Sequence, residues 1–255
     1  MTRKYLAIAA LFLVPLSANA TTWSFNGTGT VVPSGIKSIQ AFSLNTSLGA
    51  TTFAGATSWT AYSGGIGVKG FSTESTLEPQ HATDNNGNLE AILFRFDQNT
   101  ILDNLSVGWP STTAGYDSDL SVLRYTGAVD SVTGLPLSDR NISGESISQL
   151  LSRGWEFVGS YNTSKGTVED INPDNLSSSF WLISAYSSSW GSGKGDPSTQ
   201  LDDSNDYFKL VSLTGTTAGT GPGPGASVPE PTSLLLLASG ILGWRMNRKS
   251  QTVAA

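Results

Sequence analysis

The sequence contains no cysteine, a single histidine and few charged residues. The lack of cysteine excludes disulfide bonds, thiolate metal sites and cysteine nucleophiles. With His81 as the one imidazole, a histidine-rich metal site is excluded too, and the Gly-x-Ser-x-Gly turn of many serine hydrolases is missing. His81 stands beside a turn sequence, so we expect it to fix that turn by hydrogen bonds rather than to act in catalysis.

Charge is scarce throughout the chain. Charged residues make up 13% of the sequence, which is about half of the usual share. Hydrophobic residues, at 38%, are nevertheless too frequent for a disordered protein. Glycine, serine, threonine and asparagine take the place of charge, and this composition favours short strands and turns over long helices.

The first 20 residues have the three zones of a secretory signal peptide. Two basic residues precede an apolar stretch over residues 5–14. Ala18 and Ala20 then supply the small side chains that signal peptidase requires. We therefore expect an N-terminal signal helix that is removed by cleavage before Thr21.

The C-terminal end lacks an apolar run long enough for a comfortable membrane span. Residues 232–244 would form a helix about 20 Å long, whereas the hydrocarbon core is about 30 Å thick. A linker rich in glycine, proline and threonine precedes this run at residues 215–227. A basic cluster follows it and would stay on the cytoplasmic side, formed by Arg245, Arg248 and Lys249.

Pro229, Glu230 and Pro231 stand directly before this apolar run. The order of Pro-Glu-Pro, hydrophobic helix and basic cluster over residues 228–250 resembles the PEP-CTERM sorting signal of Gram-negative bacteria. The resemblance implies that an exosortase, a membrane-embedded enzyme, recognises this region and removes the tail. The protein would then be released to the cell surface or the exopolysaccharide matrix after transient retention in the inner membrane. A plain C-terminal anchor is the alternative.

Removal of both ends leaves a strongly acidic middle region. It holds 9 basic and 19 acidic residues, a net charge of −10. Such a surface repels nucleic acid and anionic membranes, so we expect neither as a partner.

The middle of the chain alternates between strand patterns and turn signals. Residues 89–97 place Ile92, Phe94 and Phe96 on one face, and residues 101–107 follow after Gln-Asn-Thr, which predicts a hairpin. Residues 180–186 are apolar on both faces, as in a central strand. Further strand patterns cover residues 23–26, 38–45, 58–62, 66–71, 120–126, 155–161 and 207–213.

One short helix is predicted among these strands. Ser146 and Gln149 fit a capping box, and Gly154 can end the helix. About ten strands with one helix predict an all-β domain over residues 21–214, a single jelly-roll-like β-sandwich.

Short sequence blocks occur at residues 81–85, 96–97, 105–109, 117–127, 154–155, 180–186 and 206–210. Together they resemble the recurring blocks of one group of exosortase-dependent surface proteins, over about residues 78–213. This resemblance brings no catalytic activity or site with it, so we expect the domain not to be an enzyme.

Asp117 and Asp119 place two carboxylates on the same side of an extended segment. Loops rich in oxygen ligands of this kind suit calcium. Asp84 and Asp97 are further candidate ligands, and the acidic run 202–206 is a second candidate loop. A structural calcium ion is thus the one cofactor that the sequence suggests, and a solvated acidic surface is the alternative.

Two tryptophans are candidates for stacking on sugar rings. Trp190 lies in a loop rich in serine and glycine, and Trp59 is the next candidate for an exposed ring. Burial in the core is the alternative for each. Paired carboxylates could also hydrolyse glycosides, but only if two acids face each other across a cleft.

We therefore expect a non-enzymatic surface or matrix protein with a structural or adhesive role in the exopolysaccharide layer. Its expected partners are signal peptidase and exosortase during export, and exopolysaccharide afterwards. A carbohydrate-binding module is the alternative, followed by a hydrolase that uses paired acids.

Overall fold

A computed structural model describes residues 20–56, 58–71, 81–109, 115–127, 141–203 and 205–217. These residues lie within one compact unit, Ala18–Gly219. The predicted signal helix, apart from Ala20, lies outside the described residues, as does the predicted sorting helix with its motif residues Pro229, Glu230, Pro231, Arg245, Arg248 and Lys249. Within the described ranges, no helix is both long enough and apolar enough to cross a membrane.

The described residues are almost entirely β-sheet, which confirms the predicted all-β class. They form twelve strands and a single α-helix, α1, at Ile147–Ser152. The strands are β1 Ala20–Ser24, β2 Ile36–Leu44, β3 Ala54–Gly55, β4 Ser58–Tyr62, β5 Gly65–Lys69, β6 Thr83–Asp84, β7 Leu89–Trp109, β8 Asp119–Tyr125, β9 Trp155–Asn162, β10 Val168–Asp170, β11 Ser177–Ala185 and β12 Tyr207–Thr217.

Strand β7 is 21 residues long and pairs with four other strands. Its first half pairs with β2 and β11, and its second half pairs with β12 and β10. The hairpin predicted at residues 98–100 is therefore wrong, because Thr100 within that segment pairs with Ser178 of β11 and with Thr217 of β12. A chain that has partners on both sides at this point continues as a strand instead of turning back.

The two halves of the sheet face each other across the core. Trp23 of β1, which pairs with β12, contacts Phe96 in the first half of β7 with ring centroids 4.8 Å apart. Phe25, just after β1, contacts Phe94 of β7 with ring centroids 5.6 Å apart. Aromatic packing between strands from the two halves is consistent with the predicted β-sandwich, while the jelly-roll arrangement stays a prediction.

Strand β11 is the central strand that its sequence predicted. It lies between β7 and β8, and it is buried from its second residue to its last. Both faces of the strand are covered, which explains why its apolar residues do not alternate with polar ones.

The first and last strands of the domain pair with each other. Strand β1 aligns antiparallel with β12, with Thr22 opposite Thr214. Strand β12 includes residues 215–217, the first three of the segment predicted as a linker. The start of the domain and the start of the linker therefore lie on neighbouring strands.

Helix α1 has the predicted ends. The Ser146 side chain accepts a hydrogen bond from the Gln149 backbone N–H, and the Gln149 side chain accepts one from the Ser146 N–H at 2.8 Å. Gly154 follows the helix with a φ of +97°, a conformation that favours glycine. The capping box predicted from the sequence is confirmed.

Candidate cation-binding site

Two loops meet where β8 and β12 begin. Asp117, just before β8, forms an isolated parallel bridge with Asp206, just before β12. The Tyr207 N–H donates to the Asp117 carbonyl at 2.9 Å, and the Asp117 N–H donates to the Asn205 carbonyl at 3.3 Å. These backbone bonds fix the two loops side by side.

Three carboxylates converge at this junction. Asp117, Asp119 and Asp206 each offer one oxygen, and these oxygens all lie within 4.8 Å of one another. Ser118, between the first two, points away and donates its hydroxyl to the Thr163 carbonyl at 2.6 Å. The alternation along this extended segment thus brings Asp117 and Asp119 together, and the acidic run 202–206 contributes the third carboxylate.

The cluster is buried. Asp119 and Asp206 have no solvent-exposed surface. Oδ1 of Asp206 accepts the Asp119 backbone N–H at 3.0 Å, and Oδ2 of Asp119 accepts the Asp202 N–H at 3.1 Å. No described residue donates a hydrogen bond to the buried Oδ1 of Asp119. This oxygen is an unsatisfied acceptor in the interior, where such atoms are rare.

Burial raises the pKa of all three acids. Desolvation, a hydrogen bond with Asp117 and the charge of Asp119 raise the pKa of Asp206 to about 11. Desolvation and the charge of Asp117 raise the pKa of Asp119 to about 7. The pKa of Asp117 is raised mainly by desolvation. Ionised together, these carboxylates repel one another, so the cluster holds either protons or a cation.

Asn85 holds Asp206 in place from a third element, just after β6. The Asp206 N–H donates to Asn85 Oδ1 at 3.1 Å, and the Asn85 side-chain amide donates in return to Asp206 Oδ2. The same amide donates to the Tyr186 carbonyl at 3.0 Å. In the sequence, Asn85 belongs to the turn beside His81, and nothing local links it to a residue 121 positions away.

The other two candidate ligands are not among the converging acids. The Asp84 side chain accepts the Asn86 N–H at 3.0 Å, which closes a local turn, and Asp97 is exposed on β7. Among the described residues, neither belongs to the group of acids that converge closely enough to share an ion. The prediction that they join Asp117 and Asp119 is wrong, because the Asp84 side chain closes its local turn and Asp97 lies exposed on the long strand.

An aromatic cluster adjoins the acids. Tyr116 and Tyr207, the chain neighbours of Asp117 and Asp206, have ring centroids 4.8 Å apart. Trp109 at the end of β7 lies 5.8 Å from Tyr116 and 5.9 Å from Tyr207. A structural change at the carboxylates would therefore occur close to the ring of Trp109.

The predicted sugar platform at Trp190 is wrong. Trp190 is 1% exposed, and its ring stacks on Phe53 with centroids 5.8 Å apart. Its loop folds inward because a short 3-10 turn at Ser188–Trp190 directs the ring into the core. Trp59 is half-buried, and its indole N–H donates to the Ile39 carbonyl at 3.1 Å.

The carboxylate cluster also lacks the form of a glycosidase site. Such a site needs two acids on either side of an open cleft that admits a sugar. Asp119 and Asp206 are closed to solvent, so a saccharide cannot reach them.

The His81 ring contacts a lysine and a tyrosine from two strands. Its Nε2 lies 2.8 Å from Nζ of Lys209 on β12, and its ring contacts Tyr62 with centroids 4.6 Å apart. The ammonium group of Lys209 also lies over the rings of Tyr62 and Trp109, at 5.0 and 5.6 Å from the centroids. His81 thus takes part in a buried polar contact between strands.

Comparison with known proteins gives a match to one sequence motif and a weak likeness to a solved structure. A solved structure described as "X-ray structure of GH31 CBM32-2 bound to GalNAc" is similar over 79% of this chain and 98% of that chain, with 10% sequence identity and a TM-score of 0.28. This score is too low to support an argument about fold or ligand. No curated protein matches significantly. Residues 227–249 match the family model of the PEP-CTERM protein-sorting motif, so the chain carries this motif at its C-terminal end, as its sequence predicted.

Proposed function

We propose that this chain is a structural or adhesive protein of a Gram-negative cell surface or exopolysaccharide matrix, delivered there by an exosortase. The observation that carries the proposal is the PEP-CTERM sorting motif at residues 227–249. The signal peptide predicted at residues 1–20 agrees with it, because a sorting tail acts only on a chain that has entered the export route.

The order of the C-terminal segments suggests how sorting proceeds. The short apolar run inserts into the inner membrane, and the basic cluster stays in the cytoplasm. Pro229, Glu230 and Pro231 then lie at the outer boundary of the membrane, where an exosortase has access to them. Cleavage in this region releases the β-sheet domain.

We further propose that the domain acts without catalysis. Its three converging acids are buried, and its one histidine contacts Lys209. A net charge of −10 on the middle region keeps it soluble and apart from anionic lipids. These properties suit a protein displayed in a hydrated polysaccharide layer.

Intact mass of the protein released from the producing cells tests the sorting proposal. We expect a mass that lacks residues 1–20 and residues 232–255. A double variant, Pro229→Ala with Pro231→Ala, should stay in the membrane fraction with its tail attached. The matched control, Pro222→Ala with Pro224→Ala in the linker, should be released normally.

A released wild-type protein that retains residues 232–255 would contradict the proposal. Normal release of the Pro229/Pro231 variant would show that another feature directs sorting.

A further inference from the structure

We propose that Asp117, Asp119 and Asp206 bind one calcium ion, which joins the loop before β8 to the loop before β12. Two observations carry this inference. The three side chains bring one oxygen each within 4.8 Å of the others, and Oδ1 of the fully buried Asp119 accepts no hydrogen bond from any described residue. The inference concerns the folded domain and does not depend on how the chain is sorted.

The spacing of the oxygens fits a shared ion. Two oxygens that each lie about 2.4 Å from a calcium ion are separated by at most about 4.8 Å. All three ligand atoms meet this limit without any change in the backbone. The spacing is therefore compatible with one ion that lies among all three carboxylates.

The described surroundings supply no positive charge to the three acids. None of the ion pairs formed between described residues includes Asp117, Asp119 or Asp206. A buried carboxylate without a compensating charge or hydrogen bond is costly. Calcium would supply positive charge to all three acids and a ligand for the unsatisfied Oδ1 of Asp119.

The chemistry of the ligands selects calcium. All three are carboxylate oxygens, which hard cations prefer, and the chain has no cysteine for a softer metal. Its one histidine, His81, contacts Lys209 instead. Calcium accepts six to eight oxygens in flexible geometry, whereas magnesium requires a near-ideal octahedron. Ligands from two separate loops suit the more flexible ion.

The ion would join parts of the chain that are far apart in sequence. Asp119 and Asp206 are 87 residues apart. An ion that binds only the folded state raises the free energy of unfolding. At ion concentrations above the dissociation constant, this gain grows with the logarithm of the ratio of the two. The domain would therefore become more stable where calcium is abundant, as it is outside the cell.

Calorimetric titration and thermal unfolding of the purified full chain, first stripped with EDTA, test the inference. We expect one calcium ion per chain. At about 100 times the dissociation constant, the melting temperature should rise by about 5–10 °C. The tryptophan fluorescence of the chain should change with the same midpoint, because the ring of Trp109 contacts Tyr116 and Tyr207 beside the ligands.

Isosteric variants distinguish calcium binding at this site from unspecific binding to acidic residues on the surface. Asp119→Asn and Asp206→Asn keep the side-chain shape but remove the charge, and each should weaken calcium binding at least tenfold. Asp97→Asn is the matched control, since Asp97 is exposed and lies outside the cluster. It should bind calcium like the wild type.

Asp117 is only partly buried, so Asp117→Asn provides a variant that disturbs the fold less if the other two fail to fold. It should bind calcium at least tenfold more weakly while keeping its circular dichroism spectrum. The absence of calcium binding by the wild type would overturn the inference. Equal binding by Asp117→Asn and Asp97→Asn, or equal affinity of the wild type for magnesium, would also overturn it.

Discussion

Trp190 illustrates at the scale of one residue that a polar loop can carry a core side chain. Its neighbours in sequence are serine and glycine, which by themselves indicate an exposed turn. The ring is nevertheless closed off by Phe53, and its indole N–H lies 3.3 Å from the Ser184 hydroxyl. The local composition describes the backbone of this loop but not the direction of its largest side chain.

We expect Trp190→Ala to lower the free energy of unfolding by about 3–5 kcal/mol, because it removes a buried aromatic ring and leaves a cavity. Trp59→Ala is the matched control and should cost less, since Trp59 is half-buried. Denaturant unfolding of both variants measures the difference. Equal losses would contradict the burial of Trp190.

Lys209 is a second residue whose role depends on distant partners. It is 3% exposed, contacts His81 through Nζ and lies over the rings of Tyr62 and Trp109. A buried ammonium group is tolerated only where acceptors and ring faces replace its water. Through these contacts, β12 packs against β4, β7 and the segment that contains His81.

Replacing Lys209 by Met keeps the aliphatic stem but removes the charge. We expect a loss of about 1–3 kcal/mol in the free energy of unfolding, since the contact with His81 and the two cation–π interactions disappear. Lys37→Met, at an exposed position of β2, should change stability by less than about 0.5 kcal/mol. If chemical denaturation finds the two variants equally stable, the contacts of Lys209 contribute little.

At the scale of elements, local patterns identified many strands but not how they connect. The pattern at residues 58–62 matches the bounds of β4, and the apolar run at residues 180–186 lies in the central strand β11. The hairpin was predicted at residues 98–100 because the polar residues there resemble a turn. The prediction is wrong because Thr100 pairs with β11 and β12, which keeps the strand extended. Partners from distant sequence decide this outcome, and no local pattern shows them.

The candidate ion site was likewise predictable only in its local part. Alternation alone placed Asp117 and Asp119 on one side, because it is a property of a single extended segment. Their contact with Asp206 arises from the way β8 and β12 begin side by side, and Asn85 enters from a third element. A single sequence contains the ligands but not the topology that brings them together.

Helix α1 allows a test of its capping box. We expect Ser146→Ala to lower the free energy of unfolding by about 0.5–2 kcal/mol, because the Gln149 N–H loses its side-chain acceptor. Ser143→Ala, at an exposed position just before the same helix, should change stability by less than about 0.5 kcal/mol. Thermal unfolding of the pair checks this contrast, and a loss of the same size in both would count against the cap.

At the scale of the whole molecule, β1 completes the core. It covers one side of β12 and places Trp23 against Phe96. Trp23 also donates its indole N–H to the Ser34 carbonyl at 3.1 Å. The first residues of the predicted mature chain are therefore part of the folded domain.

We expect deletion of residues 21–25 to destabilise the domain severely, because it exposes Phe94 and Phe96 and leaves one side of β12 without a partner. Increased binding of a hydrophobic dye and aggregation on concentration would report the loss. Deletion of residues 221–225 from the linker removes the same number of residues and should leave unfolding unchanged. A soluble, cooperatively unfolding 21–25 deletion would contradict the role of β1.

The pairing of β1 with β12 has a consequence for the timing of export. In a chain that leaves the cytoplasm N-terminus first, Thr22 emerges long before its partner Thr214, which lies 192 residues later. The sheet can therefore close only when almost the whole domain has been translocated. A polypeptide whose synthesis stops early would reach the periplasm with β1 unpaired, which exposes it to proteases. Because the sorting motif follows β12 in sequence, only a chain long enough to complete its own fold also carries the signal for delivery to the surface.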